Sequence, residues 1–216
     1  MSTEFASAGY TAGQLNTMVK LLRAQGGGED APERFLRGEL LLVSVPTRSS
    51  SWREEGSVIY FHVTSDGTTG EDWITRLKGK GFRLDYAKKM LRMPDFKPTN
   101  GVTTQVAVLK GMLFEDDDRI TKKIRAEADK RKLLKPNTEV ACLIREKFTD
   151  KDLEAMGLWW IITMHEPITV AGGGPDILGA DRYDDGSWLN ACSDAPGVRW
   201  YRDYGFAFVV SQVSAL

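Results

Sequence analysis

Apolar and polar positions follow two rhythms along the chain. Between Thr11 and Ala24, the residues Leu15, Met18, Val19 and Leu22 keep the i, i+3, i+4, i+7 spacing of one helical face. Gly26-Gly27-Gly28 ends that segment and reads as a flexible joint. Leu40–Val45 is an apolar run stopped by Pro46, and Val58–Val63 is rich in β-formers. Thr47–Gly56 between them is polar, so the pair is expected to form a hairpin with a long loop. Thr69-Gly70-Glu71-Asp72 fits a capping box ahead of Trp73, Ile74 and Leu77, with Gly79 and Gly81 closing the helix. Asp85 is expected to cap a second short helix, Tyr86–Met93, ended by Pro94.

From residue 102 the pattern is denser. Val102–Leu109 alternates and is β-branched, as a strand requires. Asp116-Asp117-Asp118 precedes Ile120, Ile124 and Ala128 at helical spacing. Three acids there are expected to favour the positive end of the helix dipole. Pro136-Asn137 opens another helix with Val140, Leu143 and Ile144 inward, and Cys142 is placed on or near that face. Thr149-Asp150-Lys151-Asp152 is a second capping box, followed by Leu153, Met156 and a stop at Gly157. Leu158–Met164 predicts a central strand, Gly172-Gly173-Gly174-Pro175 a loop, and Ser187–Cys192 and Phe206–Gln212 two short strands. The order strand, helix, helix, strand, long loops, strand, strand places the chain in the α+β class.

Composition changes this picture only when divided by region. The 216 residues carry 29 Lys and Arg against 30 Asp and Glu, a net charge of −1. That balance argues against a general nucleic-acid binder. Residues 1–67 are net −2, 68–152 net +6 and 153–216 net −5. No lysine follows Lys151, and the same stretch holds Trp159, Trp160, Trp188, Trp200, Tyr183, Tyr201 and Tyr204. Strand-rich composition accounts for this, as does a recognition surface enriched in Trp, Tyr and Arg. The +6 segment includes the helix pair near residues 70–93. A Gly-rich break and the lack of a recognition helix make it a solvated face, leaving nucleic acid an unfavoured partner. The N-terminus lacks the basic-then-apolar order of a signal peptide, and no apolar run approaches a membrane helix. A soluble, cytoplasmic protein is the expectation.

The chemical motifs in the chain are each incomplete. His165-Glu166 lacks the second His of a metalloprotease helix. Cys192 and His165 have no spacing that sets nucleophile against base. The glycine run lacks the Lys and Ser/Thr of a phosphate loop. Asp181, Asp184, Asp185 and Asp194 show no ligand spacing and read as turn residues. With two cysteines and two histidines in the chain, no catalytic residue, cofactor or resident metal is assigned.

One resemblance covers roughly the last half of the chain. It is carried by Leu158-Trp159-Trp160-Ile161-Ile162-Thr163-Met164, Leu178-Gly179-Ala180, Gly186-Ser187-Trp188-Leu189, Arg199-Trp200 and Gly205-Phe206-Ala207-Phe208-Val209-Val210. These runs resemble the end of the C-type lectin fold, and more narrowly the variable proteins of diversity-generating retroelements. Such proteins close their domain with a Gly-Phe-Arg-like strand; here Ala207 stands where Arg is usual. The strand and two helices at 102–157 also fit. The resemblance implies two helices on a small, mostly antiparallel sheet with long loops. Residues 1–67 would be an extension of helix and hairpin, and 68–216 the lectin-like domain with a variable region at about 178–210.

The resemblance also implies a function. In that family a retroelement rewrites adenine-rich codons near the 3′ end of the gene, while scaffold codons stay fixed. The implied variable, ligand-binding positions are Asp181, Tyr183, Asp184, Ser187, Asn190, Cys192, Ser193, Asp194, Val198, Tyr201, Asp203 and Tyr204. Each is a residue type that adenine substitution in an AAY codon can reach. The implied scaffold is Trp159, Trp160, Trp188, Trp200, Gly205, Phe206 and Phe208. Tyr and Trp supply contact area at low entropic cost, and Ser, Gly and Asn adaptable hydrogen bonds. The expected partner is a protein or other macromolecule, bound without catalysis. A calcium-dependent sugar lectin of the same fold would need a ligating side chain where Ile168 follows Glu166-Pro167. A relative of the formylglycine-generating enzymes would need a copper-binding cysteine pair, and Cys142 falls in a predicted helix.

Overall fold

The computed structural model describes residues 51–183 and 185–211, together with 19–20, 23 and 30–38. The chain divides into two compact units, Met1–Ser49 and Ser50–Leu216. In the first, a short helix α1 (Ala31–Leu36) has a proline in its opening turn, where the missing N–H costs no helical hydrogen bond. The helix read over Thr11–Ala24, apart from residues 19, 20 and 23, lies outside the described residues. So do the glycine joint and the strand at Leu40–Val45.

The second unit is mixed α+β around a large, mostly antiparallel sheet. Its strands are β1 (Arg53–Glu55), β2 (Val58–Asp66), β3 (Asn100–Lys110), β4 (Leu133–Leu134), β5 (Trp160–Thr163), β6 (Ile168–Thr169), β7 (Pro175–Tyr183), β8 (Gly186–Ser193) and β9 (Tyr204–Val210). Its helices are α2 (Gly70–Gly79), α3 (Ala87–Leu91), α4 (Thr121–Lys130), α5 (Glu139–Lys147) and α6 (Asp150–Ala155). The nine strands form one sheet in the order β1-β2-β3-β9-β5-β7-β6, with β4 added on β9 and β8 on β7. Every pairing is antiparallel except β5 with β9.

The central pair follows from sequence. Each residue of Trp-Ile-Ile-Thr in β5 is buried, as a strand covered on both faces must be. Along β9, Phe206 and Phe208 enter one core while Gly205 and Ala207 face the other. The first core lies under α2, α3, α5 and α6, where Trp73, Leu77, Met90, Ile144 and Leu153 meet Phe61, Val108 and Ile161. The second lies under α4 and the segment before β9, where Ile124, Ala128 and Trp200 meet Leu109, Ile162, Phe206 and Phe208. Each fully buried ring of this kind contributes about 2–3 kcal/mol.

Local signals behave unevenly. Thr69 Oγ1 accepts the Asp72 N–H at the start of α2, and Thr149 with Asp152 completes a reciprocal capping box on α6. Asp85 caps nothing: α3 begins at Ala87 behind a helical Tyr86 without a side-chain cap. The acids at 116–118 lie outside α4, whose first turn holds none. They pair instead with cations: Asp116 with Arg119 at 2.9 Å, Asp117 with Arg199 at 3.2 Å and Asp118 with Lys123 at 3.5 Å. A full charge at that range outweighs a half-charge a turn away. The long loops expected after β5 are largely absent. Residues 175–183 form β7, joined tightly to β8, and Gly and Asp in that run had masked a strand buried on both faces. The sheet is accordingly larger than the small one implied by the resemblance, and its helices cover both faces. The hairpin on β2 uses Arg53–Glu55 across Gly56, whose φ of 62° suits a tight turn. Among the described residues, no helix is long and apolar enough to cross a membrane.

Gly205 tests the packing of β9. A Cβ there would sit 2.5 Å from Val108 Cγ1 and 2.9 Å from Leu158 Cδ1. Gly205→Ala is expected to cost about 1–3 kcal/mol. Gly79→Ala, with nothing within 4 Å of the added carbon, should be neutral or slightly stabilising. Denaturant unfolding of the two variants measures the difference, and equal midpoints would contradict the packing.

Candidate functional site

Period-2 alternation sorts the β7–β8 hairpin into two faces. Leu178, Ala180 and Leu189 turn toward the first core, and Ile177 and Cys192 toward the second. Asp181 and Tyr183 share the face of Ile177. In register, Gly179 lies opposite Asn190 and Asp181 opposite Trp188, while Asp181 also pairs with Trp160 across the other edge. Gly179 lets the Trp160 indole lie flat on β7, since a Cβ there would come 2.4 Å from Nε1.

The segment before β9 completes this face. Trp200 donates its indole N–H to Thr121 Oγ1 at 3.0 Å and packs in the second core. Tyr204 meets Trp160 edge-on at 5.4 Å between ring centroids, and Tyr201 meets Tyr204 at 5.2 Å. Tyr183 lies close enough for Asp181, Asp185 and Tyr201 to raise its hydroxyl pKa. Burial, followed by Asp181 and Tyr183, raises the Tyr204 hydroxyl further. Asp181, Tyr183, Tyr201 and Tyr204 are therefore neighbours, with Trp160 and Trp200 as their floor.

Main-chain contacts hold the segment. The Asp203 carbonyl accepts from Trp159 N at 2.8 Å, and Trp200 N donates to Arg119 O at 2.9 Å. Gly111 is approached by the carbonyls of Tyr201, Arg202 and Tyr204, so closely that a Cβ would stand 2.6 Å from the first. Arg119 donates Nε–H to Gly111 O at 3.0 Å and secures the other side.

The remaining sequence-derived positions separate. Ser193 and Asp203 are exposed, and Ser187, Asn190, Asp194 and Val198 half-buried. Ser187 points the other way and donates to Asp150. Asp194 binds Arg125 at 2.6 Å, and Val198 packs on the second core. Asp184 lies outside the described residues. Of the scaffold set, Trp160, Trp200, Gly205, Phe206 and Phe208 are buried. Trp159 and Trp188 are half-buried beneath cations, Arg182 over Trp159 at 4.3 Å and Arg83 over Trp188 at 5.1 Å. Trp188 also donates to Asp185 at 3.2 Å.

Asp181 is the fully buried acid of the group. Burial pushes its carboxyl up to about 6, against the pull of Asn190 and Arg145. Asn190 Nδ2 reaches its Oδ2 at 3.4 Å, while its Oδ1 has no partner. Arg145 approaches from α5 and was not singled out in the sequence. An Arg beside apolar helix positions carries no local signal of burial. It donates to Asp181 O at 3.0 Å and to Phe148 O, pairs with Asp150 at 3.1 Å and lies over Phe82 at 4.7 Å.

The chemical candidates are dispersed. His165 is buried and neutral, its pKa lowered by burial to about 4. Its Nε2 accepts the Leu178 N–H at 2.9 Å while Nδ1 faces Glu166 O. Glu166 pairs with Lys135 at 2.7 Å. Cys142 belongs to the first core and Cys192 packs on the second, so the two thiols lie on opposite faces of the sheet. Burial raises both well above the ordinary thiol value. Among the described residues, no three His, Cys, Asp or Glu side chains cluster to hold a metal. Comparison with protein-family models, characterised proteins and solved structures returns no match to this chain.

Because Asp181 has a raised folded-state pKa, its stabilising contribution is complete below the ordinary value of 3.8 and is lost as pH rises through about 6. Asp181→Asn is therefore expected to be more stable than the parent chain at pH 8 by about 1–3 kcal/mol, a difference that fades toward pH 4. The acid loss from His165, falling between 6.5 and about 4, is common to both chains and cancels. Urea unfolding of the two at several pH values tests this; a difference independent of pH would be wrong for a buried titrating acid.

Proposed function

We propose that this chain is a non-catalytic ligand-binding protein of C-type lectin-like architecture, related to the variable proteins of diversity-generating retroelements. Its recognition surface is the face carrying Tyr183, Tyr201, Asp203 and Tyr204. The observation that carries the reading is the division of labour in residues 199–205. Their backbone is held by main-chain hydrogen bonds and by Gly111, while Tyr201 and Asp203 project outward. Side chains can change there without moving the frame, as recognition loops on a rigid scaffold require. The closing strand supports the architecture, since β9, the strand of the Gly-Phe run, lies between β3 and β5 and joins the two parts of the sheet. Partners are macromolecules met through exposed tyrosine, a residue enriched in binding hot spots.

Sequencing the DNA beside the gene tests the family reading. A reverse transcriptase and a near-repeat of codons 178–210, with adenines at the variable codons, are expected. Flanking DNA lacking both would end this assignment. On the protein, replacing Tyr201 or Asp203 by Ser should change unfolding free energy by less than about 0.5 kcal/mol, whereas Phe206→Ala should cost about 3–5 kcal/mol. Comparable losses at display and floor positions would mean that the tyrosine face is structural.

A further inference from the structure

The charges beneath the tyrosines are uneven. Asp181 has no ion-pair partner among the described residues, and its Oδ1 is buried without a hydrogen bond. Trp160, its cross-strand partner on β5, has a buried indole N–H in the same condition. Among the described residues no neighbouring cation forms an ion pair with the Asp181 carboxylate, and the charge that acts on it from Arg145 comes from a guanidinium paired with Asp150. Arg145 gives its hydrogen bonds to main-chain carbonyls and pairs with Asp150. Arg182 lies on Trp159 and donates to Leu158 O, Arg83 pairs with Asp185, and Arg202 lines a groove with Glu115, Asp116 and Asp117. Asp203 adds an exposed acid at the rim.

The rings above Asp181 make a corner. Tyr201 and Tyr204 stand at 68° to each other, and Trp160 stands at 71° to Tyr204. Tyr201 is 68% exposed and Tyr183 47%, so the corner opens to solvent. Ring faces carry negative potential and attract cations, more strongly where water is partly excluded. An unpaired carboxylate behind them adds a field that low-dielectric surroundings screen poorly.

We propose that the tyrosine corner over Asp181 binds an organic cation, the ammonium or guanidinium group of a lysine or arginine side chain on a basic polypeptide partner. The cation rests on the faces of Tyr201 and Tyr204 with Asp181 behind them, and Asp203 at the rim takes a second positive group. This inference rests on the reading of that face as the recognition surface, and it names the chemistry of the ligand.

The test is a titration of the full chain with the peptide acetyl-Gly-Lys-Gly-Lys-Gly-amide, followed by tryptophan fluorescence and amide chemical shifts at pH 8. The lysine-acetylated peptide and a glutamate version serve as comparisons. Saturable binding of the lysine peptide is expected, with shifts centred on residues 181–183 and 201–204. Lysine acetylation, Asp181→Asn and Tyr201→Ala should each weaken it about five- to tenfold. Tyr201 is exposed, so its variant keeps the test open if Asp181→Asn perturbs folding. Equal affinity for the acetylated peptide, full affinity in both variants, or no binding of the lysine peptide would overturn the proposal. Preference for the glutamate peptide, lost in Tyr201→Ala, would overturn the cation inference while leaving the recognition face standing. Lysine-peptide binding with shifts elsewhere and no effect of Tyr201→Ala would overturn both.

Discussion

The fold depends on one constraint: β9 must occupy the gap between β3 and β5. The antiparallel group β1–β3 and the group β5–β8 share no strand pairing except through it. β9 meets both demands with a two-residue alternation, small residues toward the core under α2, α3, α5 and α6 and phenylalanines toward the core under α4. Gly205 lets Val108 and Leu158 close over the strand, and Phe206 and Phe208 fill the opposite side. The parallel register with β5 then sets Tyr204 beside Trp160, which seats the tyrosine face. Packing of the sheet centre and placement of the site are thus one event.

The site combines two physical regimes within a few residues. Below, Trp160, Trp200 and Phe206 are packed in the second core, and Trp200 is tied by its indole hydrogen bond to Thr121. Above, Tyr201 and Asp203 face water on a backbone whose carbonyls at 201 and 203 accept from Tyr204 N and Trp159 N. Asp181 lies between them, held where its charge is costly and its second oxygen unmet. A fold that tolerates such a group commonly has a use for it, since buried polar atoms without partners oppose stability.

Much of this was legible in the chain itself. β2, β3, β5 and β9 are written in apolar or alternating runs, and both threonine-led helix starts mark real helices. The basic-to-acidic division sets apart the C-terminal stretch that carries the candidate site. What escaped has physical causes. β7 carries Gly179 and Asp181 at inward positions, so its composition reads as turn although both faces are covered. The triple acid reads as a dipole partner because sequence does not reveal that Arg199, eighty-odd residues away, returns beside Asp117. Alternation within β8 turns Ser187 away from Asn190 and Cys192, and no spacing rule could place Asp181 beneath the surface when its neighbour Tyr183 stands above it. Arg145 was hidden for a related reason: besides the nearby Phe148 carbonyl, it serves the carbonyl of Asp181, 36 residues on.

The insertion of β9 has a consequence for synthesis. β3 and β5 each wait with an open edge until residues made after every other strand have emerged from the ribosome. During that interval the nascent chain holds two half-sheets whose unpaired N–H and C=O groups face a missing neighbour. Closure requires contacts at long sequence separation, since Val106 on β3 pairs with Val209. The step that joins the two halves also brings Tyr204 beside Trp160, so a chain stalled before it would lack the assembled face. Assembly of the surface is in this sense a report that the whole sheet has been made.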